Sequence, residues 1–135
     1  MTQPSDLIVW LADLTYTQQT IAADVIPTAI GGIATYAESK LSLTTPIKIF
    51  KYPEALQDAL NAGERPDVIG FSNYVWNGDL AYAFAQAIKK HYPDTIIVFG
   101  GPNYPTDGEE QAEYLADNPL IDFYIIKEGE VAFTN

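Results

Sequence analysis

Asp67-Val-Ile-Gly-Phe-Ser-Asn-Tyr74 is a short apolar run that ends in compact polar residues. Thr95-Ile-Ile-Val-Phe99 repeats the pattern and breaks into Gly100-Gly101-Pro102-Asn103-Tyr104. Asp122-Phe-Tyr-Ile-Ile126 repeats it again and breaks into Lys127-Glu128-Gly129-Glu130. Near-continuous apolar runs of strand length, without alternation, are what a parallel strand buried on both faces requires. Leu7 to Leu11 and Ile47 to Phe50 supply two more such runs.

Helical signals fill the gaps. Ile26, Ile30, Ile33, Ala34, Ala37 and Leu41 recur at helical spacing, predicting a helix from about Pro27 to Leu41. Pro53 suits a first helical position, and that helix is expected to bury Leu56 and Leu60 and to stop near Gly63. Asn77 is expected to cap a third helix with the stripe Leu80, Phe84, Ala87 and Ile88. Thr106-x-x-Glu109 fits a capping box for a fourth, burying Ala112, Leu115 and Ala116. A last helix is expected from Glu130, and the chain stops at Asn135 without a stop signal, as a piece cut from a longer protein would. Alternating strands and helices imply right-handed crossovers. The predicted fold is α/β: a flavodoxin-like, Rossmann-like five-stranded parallel sheet of order 2-1-3-4-5 with helices on both faces, in a single domain over residues 1–135.

Composition narrows the chemistry. The 135 residues are 47% hydrophobic and carry a net charge of −11. An acidic surface repels phosphate backbones, so nucleic acid is not an expected partner. No apolar run approaches the roughly 20 residues of a membrane span, and the N-terminus lacks a secretory pattern, so a cytoplasmic, membrane-free protein is expected. With no cysteine, the chain can hold neither a disulfide nor a cysteine-ligated iron–sulfur cluster, so enzyme activity of its own is not expected. His91 is the only histidine and falls at the end of the third helix, far from the strand ends.

In an open α/β sheet, ligands bind beyond the carboxyl ends of the strands, at the switch point where strand order reverses. Between strands one and three, that point brings together Ala12-Asp13-Leu14-Thr15 and Ser72-Asn73-Tyr74. Gly100-Gly101 lets a ligand approach the backbone, and equally suits a tight turn. Ser72 and Asn73 offer a hydroxyl and an amide, although such residues also satisfy loop backbone. Tyr74, Trp76 and Tyr104 supply flat amphipathic surfaces. A receiver domain would need an acceptor aspartate where Ser72-Asn73 stands, and a dinucleotide fold would need Gly-x-Gly-x-x-Gly after strand one. A flavin-binding electron carrier using Thr15, Thr17 and Thr20, and a cofactor-free interaction domain, remain alternatives.

The ordered set Asp67 to Tyr74, Val98-Phe-Gly-Gly-Pro102, Asp122-Phe-Tyr124 and Glu128-Gly-Glu130 with Ala132-Phe133 resembles the N-terminal cobalamin-binding domain of B12-dependent radical SAM enzymes. The resemblance implies cobalamin held over the strand ends, its nucleotide tail running down beside the sheet. It places Ser72, Asn73 and Tyr74 in the family's Ser-x-Leu-like position, and Gly100 and Gly101, followed by Pro102, Asn103 and Tyr104, in the Gly-Gly position. Glu128, Gly129 and Glu130 take the strand-five exit. The loop Ala12, Asp13, Leu14 and Thr15 falls where the lower corrin face would rest. Gly101→Leu is then expected to block the tail. The Asp-x-His-x-x-Gly motif is absent, implying no protein histidine beneath cobalt. The radical SAM half is absent too, so the implied 4Fe-4S cluster and S-adenosylmethionine belong to a partner domain of a longer enzyme, with methyl transfer among the activities the resemblance implies, and not to this chain.

Overall fold

The computed structural model describes residues 6–15, 28–126 and 129–135, without the side chains of 28 and 29. Its elements alternate without exception: β1 (Val9–Ala12), α1 (Thr28–Lys40), β2 (Lys48–Phe50), α2 (Pro53–Asn61), β3 (Val68–Ser72), α3 (Gly78–His91), β4 (Ile96–Gly100), α4 (Gly108–Asp117), β5 (Phe123–Ile125) and α5 (Gly129–Thr134). All four strand pairings are parallel, and the order is β2-β1-β3-β4-β5, as the sequence predicts. Ile26, Pro27 and the 16–24 segment lie outside the described residues.

Alternation along the strands sorts the core into two faces. Trp10, Ala12, Phe50, Ile69, Phe71, Ile97 and Phe99 point one way and pack against Leu56 of α2 and Phe84 and Ile88 of α3. Val9, Leu11 and Val68 point the other way and meet Ile30, Ala34 and Ala37 of α1 and Phe133 of α5. Strand N-termini are tied sideways by aspartates. Asp67 accepts from Ile8 N, and Asp122 accepts from Ile97 N, both at 2.8 Å, with Lys89 Nζ also 2.8 Å from Asp122.

Several local expectations change. Helix α2 buries Leu56 and Ala59, with Leu60 only partly covered. Helix α3 buries Phe84 and Ile88 as expected, but Ala81 and Ala85 complete its inward stripe in place of Leu80, which is partly buried, and Ala87, which is exposed. Asn77 makes no side-chain cap. Its amide is fully buried and instead donates to Leu14 O at 3.0 Å and accepts from Tyr74 N at 2.8 Å, fastening the loops after β1 and β3. The cap of α4 is Asp107, which accepts from Glu109 N and Glu110 N, and not Thr106. That helix buries no residue fully; Ala112 and Ala116 face solvent, and Tyr114 and Leu115 make its partial contacts with the core.

Candidate functional site

At the C-terminal rim, between β3–β4 and the helices α1 and α5, lies a cavity of about 440 Å³. That is within the range of sites that bury small organic groups, roughly 300–1,000 Å³. Its walls are mainly aliphatic and aromatic: Leu11, Ile33, Val98, Ile125 and Phe133 are among them. Four glycines line it, Gly70 within β3, Gly100 at the end of β4, Gly101 directly after it and Gly129 at the start of α5.

A side chain would meet different surroundings at these four positions. A Cβ on Gly70 would come within 2.8 Å of Leu11 Cδ2 and 3.1 Å of Phe133, and one on Gly129 within 2.9 Å of Ile33 Cδ1. Both notches are therefore occupied by tips of flexible side chains. A Cβ on Gly100 would meet nothing closer than Ile125 O at 3.7 Å. Gly101 alone at the rim has a positive φ, 121°, and its Cβ would lie 2.6 Å from Asn73 O. Backbone geometry thus demands glycine at 101 but not at 100. The expectation that Gly101→Leu would act by filling the channel is corrected: its first collision is with the Asn73 backbone.

The cavity unites Ser72, Tyr74, Gly100, Gly101, Pro102, Gly129 and Glu130 from the sequence reading. Asp13 reaches it through Ser72, whose Oγ donates to Asp13 Oδ1 at 2.6 Å. Ala12 and Leu14 do not reach it; both are buried in the core on the opposite face, because they sit one residue out of phase with Leu11 and Asp13. Thr15 is half-buried, with its N–H on Lys51 O. Glu128 lies outside the described residues. Pattern reading missed Gly70 and Phe133; the available signal was a glycine interrupting a strand interior.

Asn73, Asn103 and Tyr104 also lie off the cavity, in the wall behind it. Asn73 is fully buried. Its Nδ2 lies 2.9 Å from Asn103 O, 3.0 Å from Tyr114 Oη and 3.2 Å from Tyr124 Oη, and its Oδ1 accepts from Asn103 Nδ2. Tyr124 Oη donates to Gly101 O at 2.7 Å, and Tyr104 stacks on Tyr124 with centroids 3.7 Å apart. This wall holds the Gly100–Tyr104 turn in place, the backbone-satisfying alternative for Asn73. Tyr74, which lines the cavity, stacks instead on Trp76 with centroids 4.6 Å apart, and Trp76 is 63% exposed. His91 is exposed on the last turn of α3, beside Gln57, Asn61 and Tyr92 and away from the rim.

Burial, with neighbouring Tyr114 and Tyr104 adding to it and the Asn73 contact opposing it, pushes the Tyr124 hydroxyl well above its ordinary 10.0. The folded protein therefore keeps this proton where the unfolded chain loses it. The associated stability is complete below pH 10 and is lost as pH rises past it. Tyr124→Phe is expected to cost about 1 kcal/mol at neutral pH through its lost hydrogen bonds. Above pH 10 the variant should lose stability less steeply than wild type. Urea unfolding across an alkaline pH series checks this; parallel slopes would contradict it.

In doubly wound α/β domains, an apolar cleft beside the switch point is where small organic ligands bind. The B12 binding domain family matches residues 20–135, and the chain belongs to that family. It is 31% identical over 112 residues to the cobalamin-dependent radical SAM methyltransferase TokK of Streptomyces tokunonensis, covering 80% of this chain and 16% of that protein. It is 32% identical over 116 residues to the 2-(S-pantetheinyl)-carbapenam-3-carboxylate methyltransferase of Streptantibioticus cattleyicolor, covering 83% of this chain and 16% of that protein. The chain thus corresponds to a small part of these relatives. Among solved structures, the REC domain of RcsB from Salmonella enterica serovar Typhimurium aligns over 93% of this chain and 80% of that one, with TM-score 0.60 and 19% identity, a likeness of fold. Ser72-Asn73 stands at the β3 end, where a receiver's acceptor aspartate would be required, and no metal-holding group of acidic or histidine side chains occurs among the described residues.

Proposed function

We propose that this domain holds cobalamin with the benzimidazole arm of its nucleotide tail in the cavity between β3–β4 and α1–α5, and with the corrin over the strand ends. Gly100 carries the reading: neither its φ nor its packing requires glycine, yet a side chain there would project into the cavity. The apolar lining suits a benzimidazole ring, and Tyr74, backed by Trp76, adds an aromatic ring to the wall. Neither Tyr74 nor Tyr104 plugs the cleft, which favours a ligand site over a cofactor-free docking domain. No cationic side chain lines the cavity among the described residues, which disfavours the phosphate dianion of a flavin mononucleotide. In cobalamin the single phosphodiester charge is offset by the cobalt–corrin centre.

With His91 distant, no histidine of this chain lies beneath cobalt in this reading. Bound cobalamin supplies a cobalt centre able to carry a methyl group. By analogy with the two methyltransferases, residues 1–135 serve as the cobalamin module of a longer radical SAM enzyme, whose other domain provides the iron–sulfur cluster and binds S-adenosylmethionine. No described helix is long and apolar enough to cross a membrane. The chain mixed with hydroxocobalamin and then desalted should keep corrin absorbance near one equivalent. Folded protein emerging colourless would overturn the assignment.

A further inference from the structure

The rim of the α1–α5 face ends in polar groups whose hydrogen-bonding sense is fixed. Period-two alternation places Asp13 above Leu11 on β1, and Ser72 above Gly70 on β3. An ionised carboxylate can only accept, so the Ser72 proton is the one that spans the 2.6 Å to Asp13 Oδ1. That proton is then committed, and Ser72, which lines the cavity, presents only lone pairs to whatever enters. Glu130 of α5 is likewise an acceptor, and among the described residues Tyr74 is the one lining side chain left able to donate. Burial, and secondarily the Asp13 charge, hold the Tyr74 hydroxyl above its ordinary range, so it stays neutral. No lysine, arginine or histidine lines the cavity among the described residues.

We propose that the Asp13–Ser72 pair makes this rim a reader of hydrogen-bond donors, selecting a corrinoid edge that carries neutral carboxamide N–H groups over the same edge carrying a carboxylate. This rests on the cobalamin reading and adds a specificity to it. A carboxamide N–H completes a lone pair of Ser72 or the second oxygen of Asp13. A carboxylate at that place offers no donor and adds a negative charge beside Asp13, so both the hydrogen bond and the charge count against it. In Asp13→Asn the Ser72 contact can persist on the amide oxygen, the charge is gone, and the new NH₂ can donate to a ligand carboxylate.

The test measures dissociation constants by difference spectra for cobalamin and for its isomeric monocarboxylic acids, in which one peripheral carboxamide is hydrolysed. Wild type should bind cobalamin at least about tenfold more tightly than one or more of the isomers. Asp13→Asn, with an unchanged thermal midpoint, should shrink that ratio to within about threefold. Equal wild-type affinity for cobalamin and every isomer would overturn the proposal, as would a ratio that Asp13→Asn leaves untouched. Tight cobalamin binding accompanies either of those results. Failure of wild type to bind any corrinoid is a different outcome, and it removes the cobalamin reading together with this one.

Discussion

Gly100→Leu is expected to leave the fold standing and to weaken cobalamin binding at least about a hundredfold, or roughly 3 kcal/mol. Gly100 ends β4 in a conformation open to any residue, and its nearest neighbours would lie 3.7 and 3.9 Å from a new Cβ, ordinary contact distances. Replacing a strand glycine also removes about 0.5–1 kcal/mol of backbone entropy cost, so the thermal midpoint should hold or rise. The isobutyl group must then go somewhere, and the cavity beside Gly100 is where the ring of the nucleotide tail is proposed to lie. Paired measurements of unfolding and of cobalamin affinity check the claim. Unchanged affinity in a folded Gly100→Leu would place the arm elsewhere.

Gly101→Ala should behave in the opposite way, with a loss of folding stability of about 3 kcal/mol or more even without ligand. Its φ of 121° is strained for any L-residue, and the Cβ would sit 2.6 Å from Asn73 O and 3.0 Å from Asn73 N. Those are backbone atoms of a residue clamped by Gly100 O, Asn103 N and the Asn103 side chain, so they cannot swing aside as a side-chain tip would. The clamp would have to break. Denaturant unfolding of the variant measures this directly; stability within about 0.5 kcal/mol of wild type would show that the turn yields easily. Two adjacent glycines thus separate the requirements of the ligand from those of the chain.

The topology was legible because five apolar runs, each closed by turn residues, leave a parallel sheet little alternative. Gly100 and Ser72 were legible for the same reason, as they sit where those runs stop. What escaped the sequence was facing and partnership. Ala12 and Leu14 adjoin Asp13 in sequence, whereas the pleat sends them to the other side. Asn73 and Asn77 carry local polar patterns but spend their amides on residues as far away as Tyr124 and Leu14, contacts that exist only after the fold has closed. In α4 the alanines fit a helical stripe, yet it is Tyr114 whose hydroxyl meets Asn73. The meaning of Gly70 depends on Leu11 and Phe133 closing over it from other elements.

A crystal structure grown with cobalamin tests the location of the arm most directly. The benzimidazole ring should appear between β3–β4 and α1–α5, beside Gly100, with the Leu11 and Phe133 tips displaced from the Gly70 notch. Corrin density elsewhere on the surface, with those two side chains still seated against Gly70, would contradict it.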